Sequence, residues 1–480
     1  MRKLTSLLFI AIVGGFVFLS SCTEQEKPNR PEITAPTGTL SVTVSEPLSL
    51  TFAVITAGGY NTASVSATGG TAAIDSQPEA GSKSGEVSVT YTAGASEIAG
   101  SVTLTVTDNE NQDNSTTAVI SVLSEVLVFD VTGNITQNST WETGKTYILK
   151  TRIAVVSGVT LTIEPGVVVK GEAGTGSNAS VLLIARGAKL MAEGTADQPI
   201  IFTSIADEIA PGEVESPNLD PALNGLWGGL LILGNAPISA DAEAVQIEGI
   251  PASDQNGLYG GTDPEDNSGI IRYVSIRHGG ANIGEGNEIN GLTLGGVGSG
   301  TIIEYVEIIA NQDDGIEWFG GTVDVMNVVV WNPGDDAIDT DQSWGGTLDN
   351  FVVVNAGDEC FELDGPEGTM EAGHMITNGS VFADAADGIV DLDDNSIVEM
   401  TNIYFFGLTI GQDFDLNPAG LSLSGLQATL PAATSLTDFF LGGSDAAVTA
   451  VAANGNTVGA DISKFQVWSW TALSGSLDNF

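Results

Sequence analysis

Between Thr301 and about Asp394 one phrase recurs with its chemistry kept. Its first copy reads Glu304-Tyr-Val-Glu-Ile-Ile-Ala-Asn311 and then Asp313-Asp-Gly-Ile-Glu317. The second reads Val328-Val-Val-Trp-Asn332 and Asp335-Asp-Ala-Ile-Asp339, the third Phe351-Val-Val-Val-Asn355 and Asp358-Glu-Cys-Phe-Glu362. Asn311, Asn332 and Asn355 follow at intervals of 21 and 23 residues, and Ile316, Ile338 and Phe361 at 22 and 23. A unit this short, built of β-branched runs broken by glycine and asparagine, is too small for a pair of helices and fits one coil of a β-solenoid. Stacked coils set equal positions about 4.8 Å apart in parallel ladders. Ile316, Ile338 and Phe361 then form an inward ladder, with Ile389 a looser fourth member. Alternation turns Glu317, Asp339 and Glu362 outward, together with Asp341 and Asp364 two positions on.

The rest of the chain agrees. It has 480 residues, 60 of them glycine and 16% charged, and almost no stretch with the spacing of an amphipathic helix, which predicts an all-β fold. A solenoid core grows in one dimension, so this length does not force division into many small domains. A net charge of −47 argues against nucleic acid and anionic membrane surfaces as partners and favours cations or uncharged ligands.

Residues 1–21 carry Arg2-Lys3, an apolar run from Leu7 to Leu19, and the spacing of a secretory signal. Leu19-Ser-Ser-Cys22 resembles the lipobox of bacterial lipoproteins, which implies cleavage before Cys22 and acylation of that residue. Residues 22–32 are polar and read as a lipidated tether. The acidic residues after Cys22 look like surface-export signals of Bacteroidota lipoproteins, which implies the outer membrane, facing the cell exterior, with membrane lipid as the first partner. Cys360 is then the only other thiol, and beside Phe361 it reads as a core residue.

Residues 33–124 alternate Val, Thr, Ser and Ala in short runs bounded by turn signals, as in an immunoglobulin-like β-sandwich. Residues 125–480 form the predicted parallel β-helix. Gly166 and Gly187, 21 apart, read as one coil. Residues 205–224 and 235–270, rich in Asp, Pro and Gly, read as excursions on which sites are commonly built. Ala446 to Ala453 suggests a short helix, and Val467-Trp-Ser-Trp470 a cap on the open end. From residue 127 onward the phrases Gly225-Leu-Trp-Gly-Gly, Tyr273-Val-Ser-Ile-Arg-His-Gly-Gly, Asn311-Gln-Asp-Asp-Gly-Ile-Glu-Trp-Phe-Gly-Gly and Gly357-Asp-Glu-Cys-Phe-Glu-Leu-Asp-Gly-Pro-Glu-Gly resemble a family of Bacteroidota surface lipoproteins. That resemblance implies a right-handed parallel β-helix of pectin-lyase-like fold and brings no activity with it.

Between Arg277 and Lys464 there is no lysine or arginine, against 30 aspartates and glutamates. Such a run is first of all solvated surface. Its ladder placement adds a second reading, since like charges on adjacent rungs repel and a cation between them relieves the repulsion. Calcium is the expected cofactor, with Glu317, Asp339, Asp341, Glu362 and Asp364 as ligands. A third reading is enzymatic. Asp314, Asp335 and Asp336 with Gly373-His374 resemble the acidic residues and glycine-histidine motif of polygalacturonase-type glycosidases, which implies Asp314, Asp335, Asp336 and His374 as catalytic groups. The downstream arginine-lysine motif of those enzymes is missing. Trp227, Trp318, Phe319, Trp331 and Trp344 are candidates for stacking on carbohydrate or for packing at coil corners. The reading favoured is a lipid-anchored surface module that binds or scaffolds, with a polysaccharide or an outer-membrane protein complex as partner and no nucleic acid; the alternative is a polysaccharide hydrolase.

Overall fold

In a computed structural model, described for residues 27–38, 40–95, 99–281, 289–415 and 418–480, the chain forms two compact units that part between Val126 and Leu127. Cys22 and the signal segment lie outside the described residues.

The first unit is a sandwich of two four-stranded sheets. One runs Glu32–Thr34, Pro47–Ile55, Ser84–Ala93, Gly70–Ser76, and the other Ser41–Thr43, Asp113–Leu123, Gly100–Asp108, Tyr60–Thr68. Strict alternation along each strand sends Leu50, Phe52 and Val54 from one sheet and Val102, Leu104 and Val106 from the other into one core.

The second unit is a parallel β-helix with three faces per coil. In the lower coils each face has its own strand, as in Thr160–Ile163, Val168–Gly171 and Leu182–Ile184. From Gly269 the first two faces merge into single bent strands: Gly269–Arg277, Ile302–Ile309, Val325–Trp331, Thr347–Val354, His374–Phe382 and Ile397–Phe406. The bend is a left-handed residue on every coil: Tyr273, Tyr305, Asn327, Asn350, Asn378 and Asn402, with φ between 49° and 58°. Asparagine tolerates this region because its short amide bonds locally. Here those amides bond along the axis, Asn350 Nδ2 donating to Asn327 Oδ1 at 2.8 Å. Tyr273 and Tyr305 occupy the same rungs and stack at 4.4 Å.

The third face carries Leu230–Leu233, Leu292–Gly295, Ile316–Phe319, Ile338–Asp341, Phe361–Leu363 and Asp391–Leu392 in parallel register. Ile316, Ile338 and Phe361 pair rung on rung, as expected from their spacing, and all three are fully buried in the coil interior. Shape complementarity across that interior is close: a Cβ on Gly379 would lie 1.9 Å from the Phe351 ring that stacks beneath it.

Several expectations are corrected in detail. Asn332 and Asn355 share a rung, but the rung below holds Ala310, so Asn311 falls one position further on. Ile389 lies level with Cys360, and Val390 takes the rung of Phe361. Gly187 stands over Gly158 rather than Gly166, because the loop around residues 172–180 lengthens that coil. Residues 446–453 hold the end of a 3-10 turn and the strand Val448–Ala450 instead of an α-helix. Finally, Phe465, Trp468, Trp470 and Leu477 do not close the end of the solenoid. They run along its flank over Ile309, Val329, Trp331, Val352 and Val354, outward apolar residues of the second face that water would otherwise meet.

Candidate functional site

On the third face the outward rungs read Leu231, Thr293, Glu317, Asp339, Glu362 and Asp391 from coil to coil. The alternation therefore does aim these carboxylates away from the coil interior. They are not solvated, however: Glu317 is 6% exposed and Asp339 8%. A second-excursion residue, Glu248, and the corner turns crowd over them. Asn290 bridges the two layers, its Nδ2 donating to Glu248 Oε1 at 3.2 Å and to Glu317 Oε2.

The result is a cleft of about 280 Å³ lined by Glu248, Asp313, Asp314, Glu317, Asp335, Asp336, Asp339 and Glu362. Every lining side chain is a carboxylate. The strands supply Glu317, Asp339 and Glu362, and the turns after the second face supply the aspartate doublets. Those doublets also tie the coils together, since Asp336 N–H donates to Asp314 Oδ1 at 3.1 Å and Glu359 N–H to Asp336 Oδ1 at 2.7 Å.

Burial without a counter-charge dominates the electrostatics. Desolvation, followed by the Asp339 carboxylate, holds the Asp314 and Glu317 carboxyls well above the usual range. Asp339 is raised by burial and then by Glu362, and Asp336, pushed up to about 10, by burial and a hydrogen bond with Glu362. Glu317 and Asp339 are themselves hydrogen-bonded, which requires a proton on one of them. Glu359, on the turn of the next coil, is pushed up to about 8 by burial and then by Asp358.

Two carboxylate triads in this cleft have oxygens within 4.8 Å of one another: Asp313, Asp314 and Asp335, and Asp314, Glu317 and Asp339. They share Asp314. The donor set is all oxygen, which suits a hard cation such as calcium. A buried acceptor stands beside it, since Asn290, whose Nδ2 donates to Glu317, has no hydrogen-bond partner for its Oδ1 among the described residues.

The structure brings only some of the other expected site residues to this cleft. Glu362 lines it, but Asp341, on the rung above Phe319, faces a larger groove at the far end of the strand. Asp364 lies outside both triads and is raised to about 7 by burial, then by Asp393 and Glu362. Asp335 and Asp336 lie in the cleft with Asp314, but His374 does not. It is buried inside the coil, its ring tilted 32° against Trp344 at 5.0 Å with its Nε2 facing Thr340 Oγ1 at 3.4 Å, and burial pushes it down to about 3. A neutral histidine on the opposite side of the strand from the carboxylates cannot exchange protons with them. Trp318 and Trp344 belong to that same interior column, stacked at 4.5 Å, and Trp331 packs edge-on against Trp470 at 5.9 Å. Trp227 is fully buried and donates to Arg277 O. None of these rings offers a face to carbohydrate; they are packing residues. Cys360 is buried, and desolvation raises its thiol. Glu248 and Asn290 escaped the sequence reading, because neither sits in the repeat that marks the rest.

No curated protein matches the chain. A family model described as a pectate-lyase-like β-helix domain matches residues 133–413, which is more than half of the chain and includes every coil that builds the cleft. With its all-parallel three-faced coils, the chain is a right-handed parallel β-helix and belongs to the pectate-lyase-like β-helix family.

Proposed function

We propose that the protein is a lipid-anchored outer-membrane surface module that binds or scaffolds rather than catalyses, and that its acidic cleft holds calcium. The observation that carries the metal reading is the pair of triads sharing Asp314 in a cleft whose walls are carboxylate throughout. Buried carboxylates in such numbers either keep protons at neutral pH or share a cation, and a divalent cation permits all of them to ionise. Asp313, Asp314 and Asp335 would hold one ion and Asp314, Glu317 and Asp339 a second position. The anchor rests on Leu19-Ser-Ser-Cys22 and the acidic tether after it.

Metal bound only by the folded chain raises stability by mass action, by about 2 to 3 kcal/mol at a hundred times the dissociation constant. Calcium at about 1 mM is therefore expected to raise the melting temperature, with a binding heat in calorimetry, and Asp314→Asn to abolish most of the rise because both positions use that residue. A melting temperature unmoved by calcium, with no binding heat, would refute the metal reading.

One observation favours a second reading. Asp336 holds its proton while the half-exposed Asp335 lies beside it in an open cleft, which is the division of labour between acid and base in inverting glycoside hydrolysis. Release of reducing ends from neutral or acidic polysaccharides, lost in Asp336→Asn with the fold intact, would establish catalysis and displace the binding role.

A further inference from the structure

Among the described residues that line the acidic cleft, Glu248 alone comes from outside the acidic coils. It stands on the second excursion, and the residues around it are seated firmly. Ile247 and Ile250 are buried in one cluster with Leu231, Leu233, Tyr259 and Phe319 of the third face and its cover. Val245–Gln246 pairs antiparallel with Leu258–Tyr259, Ile247 N–H donates to Gly257 O at 2.9 Å, and Asp254 is paired with Arg152 at 3.0 Å. Packing on both sides therefore carries Glu248, itself half-buried, to the carboxylate ladder.

The two meet at Asn290, which is wholly buried. Its Nδ2 donates to Glu248 Oε1 at 3.2 Å and to Glu317 Oε2, so both amide hydrogens are spent on carboxylates. Its Oδ1 accepts from nothing among the described residues, and a buried acceptor left unused is costly. The nitrogen thus sits where two carboxylates converge, which is where a cation would sit. Within one amide the oxygen lies about 2.3 Å from the nitrogen, so half a turn about Cβ–Cγ puts Oδ1 in the place of Nδ2. An amide serves both states, donating N–H to the carboxylates without a cation and offering its oxygen with one. Two carboxylates and an amide carbonyl are oxygen donors of the kind calcium takes.

We propose that Glu248, Glu317 and Asn290 Oδ1 form a cation position that clasps the second excursion to the ladder, so that calcium fixes this loop as well as the coils. The inference rests on the calcium reading of the cleft and adds Glu248 and Asn290, which belong to neither carboxylate triad. The same stretch, with Ile247, Gly249 and Ile250, walls the neighbouring groove of about 1050 Å³, so an ion at this position also sets the shape of that groove. The coupling is reciprocal: a contact that steadies the excursion tightens calcium.

The test is amide hydrogen exchange over residues 245–257 of the full chain, in about 1 mM calcium and in chelator, beside calorimetric titration with calcium. Calcium should slow exchange there at least about tenfold. Glu248→Gln should lose that slowing yet keep a binding heat and a raised melting temperature, because Asp313, Asp314 and Asp335 are untouched. Asn290→Ala should also lose it, and should exchange faster than the parent in chelator because the bridge to Glu248 is gone. Asp241→Asn makes the same change of charge on the same excursion outside the cleft and should leave the slowing intact. A calcium binding heat with no slowing over 245–257 in the parent, or slowing that Glu248→Gln retains, would overturn the clasp and leave the triads standing. No calcium heat in the parent would remove the metal reading and the clasp with it.

Discussion

Ile338 and Asp339 are neighbours in sequence and opposites in environment. Ile338 is fully buried between Ile316 and Phe361, so Ile338→Asp places a carboxyl among hydrocarbon and should cost about 4 kcal/mol or more in denaturant unfolding. Asp339 is almost as buried but faces carboxylates on both adjacent rungs. Asp339→Asn removes that repulsion and should stabilise the metal-free chain by about 0.5 to 1 kcal/mol, while reducing the gain from calcium. Equal destabilisation by the two substitutions would show the faces to be misassigned. The same alternation that turns Glu317 outward turns Trp318 inward, so of the two roles read for that ring, stacking on carbohydrate or packing at a coil corner, the packing role was legible in the strand itself; its column with Trp344 and His374 was not, because those residues lie on other segments. Asn311 misled for a different reason. The left-handed corner below Asn332 is taken by Ala310, so the asparagine interval of 21 residues marked similar turns rather than one rung.

At the scale of elements, the C-terminal segment acts as a strap along the middle coils. Its anchor is Trp470, which lies 5.0 Å over the guanidinium of Arg277 and edge-on to Trp331. Beneath it Arg277 and Glu307 form an ion pair with both side chains wholly buried, Nη2 to Oε2 at 3.6 Å, and Thr471 N–H and Oγ1–H donate to Glu307 Oε1 at 2.8 and 2.7 Å. A buried pair needs such extra donors and a dry cover to hold. Trp470→Ala should therefore cost about 3 to 4 kcal/mol in a urea unfolding midpoint, with Trp470→Phe losing about half as much. A midpoint unchanged in Trp470→Ala would mean that the strap is dispensable. The coils themselves were legible because periodicity is a local signal repeated many times. The strap and the covering by Glu248 were not, because contacts such as Thr471 to Glu307 or Asn290 to Glu248 join non-repeating segments whose partners no interval announces.

Across the whole molecule, a net charge of −47 with so few basic residues in the acidic coils makes proton uptake and cation binding alternative ways of relieving one stress. The linkage has a definite sign. Burial raises Asp341 and Asp364 to about 7, Glu359 to about 8 and Asp336 to about 10, from ordinary values of 3.8 for the aspartates and 4.5 for the glutamate. Between those limits the folded chain binds protons that the unfolded chain does not, so metal-free stability should rise as pH falls from about 8.5 to 7. Below about 6.5 the two buried histidines oppose this trend. His278 and His374 are held neutral in the fold and take up protons only when unfolded, so they lower stability as pH falls further. The expected profile in chelator is a rise as pH falls from about 8.5 that becomes shallower below about 6.5, since two histidines only partly offset the more numerous raised carboxyls, read as the urea midpoint against pH. Calcium should flatten the rise between pH 8.5 and 7, because a bound cation keeps the cleft carboxylates ionised and releases the protons they would otherwise hold. Metal-free stability that falls steadily over that interval would contradict the burial of the acidic ladder, and a profile in calcium identical to that in chelator would separate the ladder's protonation from any metal.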